Sequence, residues 1–189
     1  GWGTHLGNAL DPEQLPENLT EEVASADLEQ NSIAWLEAAP FNNTYALAVR
    51  SEAYEELGVE KLSDLATLLE ENPEEATLCI ESEFSTRDDG LPGMEEFYGF
   101  DIPEDNVSLL DTGVVYTATD EGDRCNFGEI FTSDGRVAAL DLTVIEDDQD
   151  FFPPYNPSVT IRQEKLEENE AVADLFAEIA GALDLETMQ

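Results

Sequence analysis

Apolar residues in this chain fall into short unbroken runs separated by longer stretches spaced at the helical interval. Ile33-Ala34-Trp35-Leu36 reads as a short strand ended by Pro40, and Tyr45-Ala46-Leu47-Ala48-Val49 as a second. The second run is almost continuously apolar, as in a strand covered on both faces. Helical spacing follows at Ser51 to Gly58, with a serine start and a glycine stop, and at Leu62 to Glu70, broken by Asn72-Pro73. Further on come a strand over Ala76 to Glu81, a loop over Ser82 to Gly90 and a helix over Leu91 to Tyr98 stopped by Gly99. A short strand near Val107 to Asp111, a helix over Thr112 to Thr119 and a strand over Phe127 to Phe131 precede the turn Ser133-Asp134-Gly135-Arg136. The chain closes with strands at Leu142 to Glu146 and Val159 to Arg162, separated by a loop over Asp147 to Pro157, and a helix over Leu166 to Leu183. Before all of these lie a loop over Leu10 to Asn18 and a helix over Thr20 to Gln30 opened by Thr20. Strands alternating with helices predict an α/β fold with mostly parallel sheets.

Charge changes the picture most. Among 189 residues, 45 Asp+Glu face 7 Lys+Arg, a net charge of −38. A phosphate backbone would be repelled by this surface and no basic cluster exists to neutralise it, so nucleic acid is excluded as a partner. With 41% hydrophobic residues the chain nonetheless has material for a core, so the acids belong on the surface of a folded body. A strongly hydrated anionic surface suits a salt-rich or extracytoplasmic setting. No apolar run is long enough to span a membrane. The first residues show neither a basic nor an apolar leader, and both ends of the sequence are abrupt, which predicts a partial chain.

Conventional catalytic and metal motifs are missing. His5 is the one histidine available to a nucleophile, and Cys79, Cys125 and His5 do not make a zinc set. The two cysteines read either as two buried thiols or as one disulfide between neighbouring strands. No phosphate-binding glycine loop follows a strand, so no nucleotide, cofactor or metal is expected. The acidic stretches Asp147-Asp148-Gln149-Asp150 and Asp120-Glu121-Gly122-Asp123 lack calcium-loop spacing and read as solvated turns. Three asparagine sequons, at Asn18, Asn42 and Asn106, read as coincidental.

Aromatic residues stand instead at strand ends and in loops beside turn-forming residues: Asn42-Asn43-Thr44-Tyr45, Phe131-Thr132-Ser133-Asp134 and Phe152-Pro153-Pro154-Tyr155-Asn156. Loops beyond the carboxyl ends of strands are where open α/β sheets bind ligands. Aromatic faces converging there would hold a quaternary ammonium, which has no hydrogen to donate, through their negative quadrupoles. Arg87, a lone cation in Phe84-Ser85-Thr86-Arg87-Asp88-Asp89-Gly90, would suit a ligand carboxylate or else pair with Asp88 or Asp89.

These same runs, taken in order with Trp35-Leu36 to Pro40, Glu83-Phe84 to Arg87, Asp89-Gly90-Leu91-Pro92-Gly93, Phe131 to Arg136 and Leu142 to Asp148, resemble the substrate-binding proteins of osmoprotectant ABC transporters. The resemblance implies a type II periplasmic-binding-protein fold, two α/β lobes closing around a ligand such as glycine betaine or choline. It implies that residues 1–131 form the second lobe and 132–189 the C-terminal part of an incomplete first lobe. Tyr45 and Tyr155 look like cage aromatics, Arg87 like the arginine that meets the ligand carboxylate, and Phe131 falls where the family has an aromatic, often tyrosine. Asn43 lies near the pocket by position. The implied partners are a quaternary-ammonium small molecule and a membrane permease, with an extracytoplasmic, periplasmic or cell-surface location and no enzymatic activity. The competing expectation is a hydrolase on the same scaffold using Glu81, Glu83 or Asp89, which would need at least one carboxyl with a raised pKa in an apolar cleft. A third is a sensor domain with the same pocket.

Overall fold

The apolar run at Tyr45 becomes an inner strand of a five-stranded sheet in the computed structural model, which describes residues 19–189. The loop read over Leu10 to Asn18, and His5, lie outside the described residues. The described residues divide into two compact units, one formed by Asn43–Tyr155 with Met188–Gln189, the other by Asn156–Thr187 with residues 19–42.

In the smaller unit, α1 (Leu19–Asn31) leads into β1 (Ile33–Ala38), which pairs antiparallel with β7 (Ser158–Arg162). Asp27 on α1 is buried, yet its carboxylate is satisfied by the indole N–H of Trp35 at 2.7 Å and the Asn31 amide at 2.8 Å. The long final helix expected from Leu166 is divided into α7 (Gln163–Glu168) and α8 (Ala171–Gly181), because Asn169 leaves helical geometry at φ −152°. Ala180 on α8 is buried with Ala39 and Phe41, while Leu175 and Ile179 stay exposed.

In the larger unit the strand order is β4 (Val107–Leu109), β3 (Leu78–Ile80), β5 (Phe127–Phe131), β2 (Tyr45–Arg50), β6 (Leu142–Val144). β3 runs parallel to β4 and β5, whereas β2 is antiparallel to both β5 and β6. Four strands therefore share one direction and β2 alone opposes them. The fold is α/β as expected, but its sheets are not uniformly parallel: the smaller one is antiparallel and the larger one mixed.

Register sorts the side chains by face. Tyr45 lies opposite Phe131, Leu47 opposite Glu129 and Val49 opposite Phe127, so these six share one face. That face carries the main core, with Leu65, Leu78, Ile80, Phe84 and Met94 from the elements around α3 (Asp64–Glu71) and α4 (Leu91–Tyr98). On the other face, Ala46, Ala48 and Ile130 pack with Tyr116 of α5 (Thr112–Glu121). The small alanines let α5 approach closely. The two cysteines are joined in a disulfide, Cα to Cα 5.7 Å, which resolves the alternatives left open by the sequence.

Several local expectations change. The stops at Gly58 and Gly99 hold, both in the left-handed conformation, φ 65° and 74°. Ser51 does not cap α2 (Ser51–Leu57): its hydroxyl reaches the Asp141 carbonyl and Thr143 instead. The turn at Ser133 opens a helix, α6 (Gly135–Ala139), because the Asp134 side chain accepts from the Arg136 N–H. Both α6 and β6 lie in the unit Asn43–Tyr155, since β6 pairs with β2; the units part after residues 42 and 155, whereas the sequence reading divides the lobes after residue 131.

Candidate functional site

Four loops meet where the shared strand direction ends. β3 and β5 present their carboxyl ends there, and β2, being antiparallel, presents its first residue, Tyr45. Hydrogen bonds stitch the loops together. The Asn43 N–H donates to the Tyr155 carbonyl at 3.1 Å, the Thr44 hydroxyl to the Pro153 carbonyl at 3.0 Å, and the Thr132 N–H to the Thr44 carbonyl at 3.0 Å. Ser133 donates its hydroxyl to the Asn43 side-chain oxygen. Asn43 therefore serves as a brace between loops, and its side chain is exposed overall.

Tyr45 is the hub of an aromatic cluster. Its ring centroid lies 4.9 Å from that of Phe131 with planes tilted by 33°, 5.2 Å from Phe84 edge-on, and 6.4 Å from Phe152. Phe84 and Phe152 are buried and back the cluster, while Tyr45 and Phe131 are only half-buried. Tyr45 and Phe131 form two adjacent panels of one wall, since rings this close leave no room for a ligand between them. The backbone N–H of Phe131 donates to the hydroxyl of fully buried Tyr116 at 2.9 Å, with the Arg136 guanidinium stacked 3.9 Å above the Tyr116 ring. This support fixes where the Phe131 ring stands.

Arg87 arrives from the segment after β3. Its Nε and Nη2 donate to the two carboxylate oxygens of Asp89, both at 2.6 Å, and its Nη1 to Glu83 at 2.7 Å. The guanidinium carbon is 6.0 Å from the Tyr45 ring centre. Asp89 also accepts the Tyr155 hydroxyl at 3.2 Å. Burial alone would raise the Asp89 carboxyl, but the Arg87 hydrogen bonds and charge outweigh it and hold it below the usual range. Burial and the nearby Asp89 charge push the Tyr155 phenol up to about 12. The loop closes so tightly that a side-chain carbon at Gly90 would collide with the Phe84 carbonyl.

The structure thus brings Tyr45, Phe131, Arg87, Tyr155 and Asn43 to one end of one sheet. Of the three carboxylates expected in a hydrolase, Glu83 and Asp89 are held by Arg87. The Glu81 carboxyl is raised, first by burial and then by Glu83 and Asp111.

Two contributors escape the sequence reading. Asp147, read there as part of a solvated turn, accepts the Tyr98 hydroxyl and the Phe151 N–H on one oxygen and the Phe152 N–H on the other. It organises the loop that carries Phe152 and Tyr155. Glu129, inside β5, is 3% exposed and accepts the Glu81 N–H at 2.9 Å. The signal for it was a carboxylate two residues from Phe131 in an otherwise apolar strand.

Residues 3–189 match the family described as the substrate-binding domain of the ABC-type glycine betaine transport system. The chain is 37% identical over 166 residues to a glycine-betaine-binding protein of Pseudomonas aeruginosa, covering 85% of this chain and 53% of that protein. It is 34% identical over 173 residues to the glycine betaine-binding protein YehZ of Escherichia coli, covering 89% and 56%. A crystal structure of a glycine betaine/carnitine/choline ABC transporter matches with a TM-score of 0.83 at 27% identity, covering 98% of this chain and 65% of that one. The chain spans about half the length of the curated relatives it matches.

Proposed function

We propose that this chain, which belongs to the family of substrate-binding domains of ABC-type glycine betaine transport systems, captures a quaternary-ammonium osmolyte, glycine betaine or a close analogue, for delivery to a membrane permease. The observation that carries the reading is the Tyr45–Phe131 wall, two half-buried ring faces 4.9 Å apart at the carboxyl end of the sheet. A trimethylammonium group is soft, apolar and permanently charged; aromatic faces give it dispersion and quadrupole attraction without requiring a hydrogen bond. Tyr155 contributes from the loop after β6, oriented by its hydroxyl on Asp89.

Arg87 takes the ligand carboxylate. Three of its five N–H groups are engaged by Asp89 and Glu83, which fix the plane of the guanidinium and leave two to meet an incoming oxygen. No bond is made or broken: the work is binding and release, by closure of two lobes over the ligand. The unit Asn43–Tyr155 is the lobe that carries the aromatic wall, and the smaller unit belongs to the other lobe. A location outside the cytoplasm, periplasmic or tethered at the cell surface, is supported by the Cys79–Cys125 disulfide, which an oxidising compartment preserves. No helix among the described residues is long and apolar enough to cross a membrane.

The test is calorimetric titration of glycine betaine, carnitine and choline into the protein at its full natural length, beside the Tyr155→Ala and Tyr45→Ala variants. The reading expects binding of at least one ligand by the parent and clearly weaker binding in both variants. A well-folded parent that binds none of the three would overturn it.

A further inference from the structure

We propose that Glu129 is the residue that tunes this site for cations, its buried carboxylate strengthening the hold on a quaternary ammonium when ionised and weakening it when protonated. The inference rests on the osmolyte-binding reading and deepens it. Its basis is position: Glu129 and Phe131 stand two residues apart on β5, opposite Leu47 and Tyr45 on β2, so the carboxylate rises from the same sheet face as the aromatic wall. It is 3% exposed in an otherwise apolar face.

Burying an ionised carboxylate there is costly unless it is paired with a cation and hydrogen-bonded. Its hydrogen bond is to the Glu81 N–H, and a glutamine oxygen would accept that bond as well. The charge is therefore the property left to explain, and it faces the site. From the segment after β3 it meets Glu81 and Glu83, from β2 the Tyr45 phenol, and from α5 the Tyr116 phenol. The cations at this end of the sheet, Arg87 and Arg136, are already paired, Arg87 with Asp89 and Glu83 and Arg136 with Asp134. Glu81 adds to the anionic character, one of its carboxylate oxygens being buried without a hydrogen-bond partner. An incoming permanent cation beside Tyr45 would relieve this excess.

Burial chiefly, with Glu81 and Glu83 adding and the Glu81 N–H opposing, pushes the Glu129 carboxyl up to about 7. A bound cation favours the ionised form, so binding and deprotonation reinforce each other. Affinity then rises with pH through neutrality, by linkage.

The experiment uses choline and tetramethylammonium, neither of which titrates in this range, with the full-length protein at pH 6 and pH 8. It is run in a background with every histidine of the full-length protein, His5 among them, replaced by glutamine, because imidazoles would titrate in the same window. If the cation lowers the Glu129 pKa by one, affinity is about fivefold tighter at pH 8, and binding at pH 7 releases roughly 0.4 proton, read by calorimetry in buffers of different ionisation heat. Glu129→Gln should bind more weakly at pH 8 and lose the pH slope. The proton-release measurement needs no substitution at Glu129, so it stands if that variant does not fold. Binding with no slope and no proton release overturns the role of Glu129 alone, as does a slope that survives in Glu129→Gln. Failure of every quaternary ammonium to bind at either pH overturns the osmolyte reading together with it.

Discussion

Asp89 meets the Arg87 guanidinium with both carboxylate oxygens, Oδ1 on Nε and Oδ2 on Nη2, each at 2.6 Å. Because the two residues are only two apart, the pairing is set by the loop itself, and Glu83 secures the opposite edge. The guanidinium is thus a fixed plane. Lysine at position 87 would keep the charge and lose that plane. Arg87→Lys should weaken glycine betaine by about tenfold, the loss of one good charge-assisted pairing, and choline by less than about twofold. Titration of both ligands checks this, and equal losses would remove Arg87 from carboxylate recognition.

Tyr45 touches Phe131, Phe84 and Phe152, so it serves both wall and core. Tyr45→Phe keeps the ring and should retain most affinity for choline. Tyr45→Ala should lose roughly 30-fold, corresponding to a desolvated cation–π contact of about 2 kcal/mol. Stability should also fall by about 2 kcal/mol for a half-buried aromatic. Urea unfolding beside titration separates the two effects, since Tyr45→Phe should move neither much.

The loop bearing Tyr155 is held by Asp147, which receives the Tyr98 hydroxyl and two backbone N–H groups. Asp147→Ala leaves the Phe151 and Phe152 amides without their acceptor and should cost about 2 kcal/mol. Tyr98→Phe removes one donor and should cost about 1 kcal/mol. Hydrogen exchange at Phe151 and Phe152 should quicken in both, more in Asp147→Ala; unchanged exchange would show that the loop is held by its aromatic packing alone.

The Cys79–Cys125 disulfide closes a separation of 46 residues between β3 and the approach to β5. On the chain-entropy account a loop of that length contributes about 4 kcal/mol. The Cys79→Ser/Cys125→Ser double variant should therefore unfold at distinctly lower urea, and reducing agent should shift the parent in the same direction. Thiol titration of the unfolded, unreduced protein should find neither cysteine free.

Much of this fold is legible in the pattern of residues. The run Tyr45 to Val49 announces a covered strand, and the glycines at 58 and 99 announce helix ends. The aromatic residues beside turn formers point to the candidate site because an aromatic at a strand end belongs to whatever lies beyond that end. Other features are invisible to local pattern. Asp147 looks like one more acid in an acidic turn, and only the tertiary approach of Tyr98, 49 residues away, gives it its role. The break at Asn169 is overlooked because the apolar spacing from Val172 onward is so regular. Arg87 shows the limit most plainly: sequence places a cation near a cage and offers Asp88 or Asp89 as its pair, whereas only the folded loop selects Asp89 and adds Glu83 on the other edge.

Glu129 also makes a prediction for stability. Its pKa in the folded protein is about 7 against an ordinary 4.5. The folded state therefore holds this proton more tightly than the unfolded chain, and stability falls as pH rises from about 4.5 to about 7, levelling on either side. With the carboxylate almost fully buried, the change amounts to about 3 kcal/mol. The parent's own pH curve is not diagnostic, since repulsion among 45 acidic residues slopes the same way. The difference between parent and Glu129→Gln isolates it, as glutamine retains the acceptor for the Glu81 N–H. The variant should be more stable than the parent at pH 8 and approach it near pH 5, measured by urea midpoint at each pH. A gap that stays constant with pH would mean that the side chain matters for its shape and hydrogen bond, with no net proton held across neutrality.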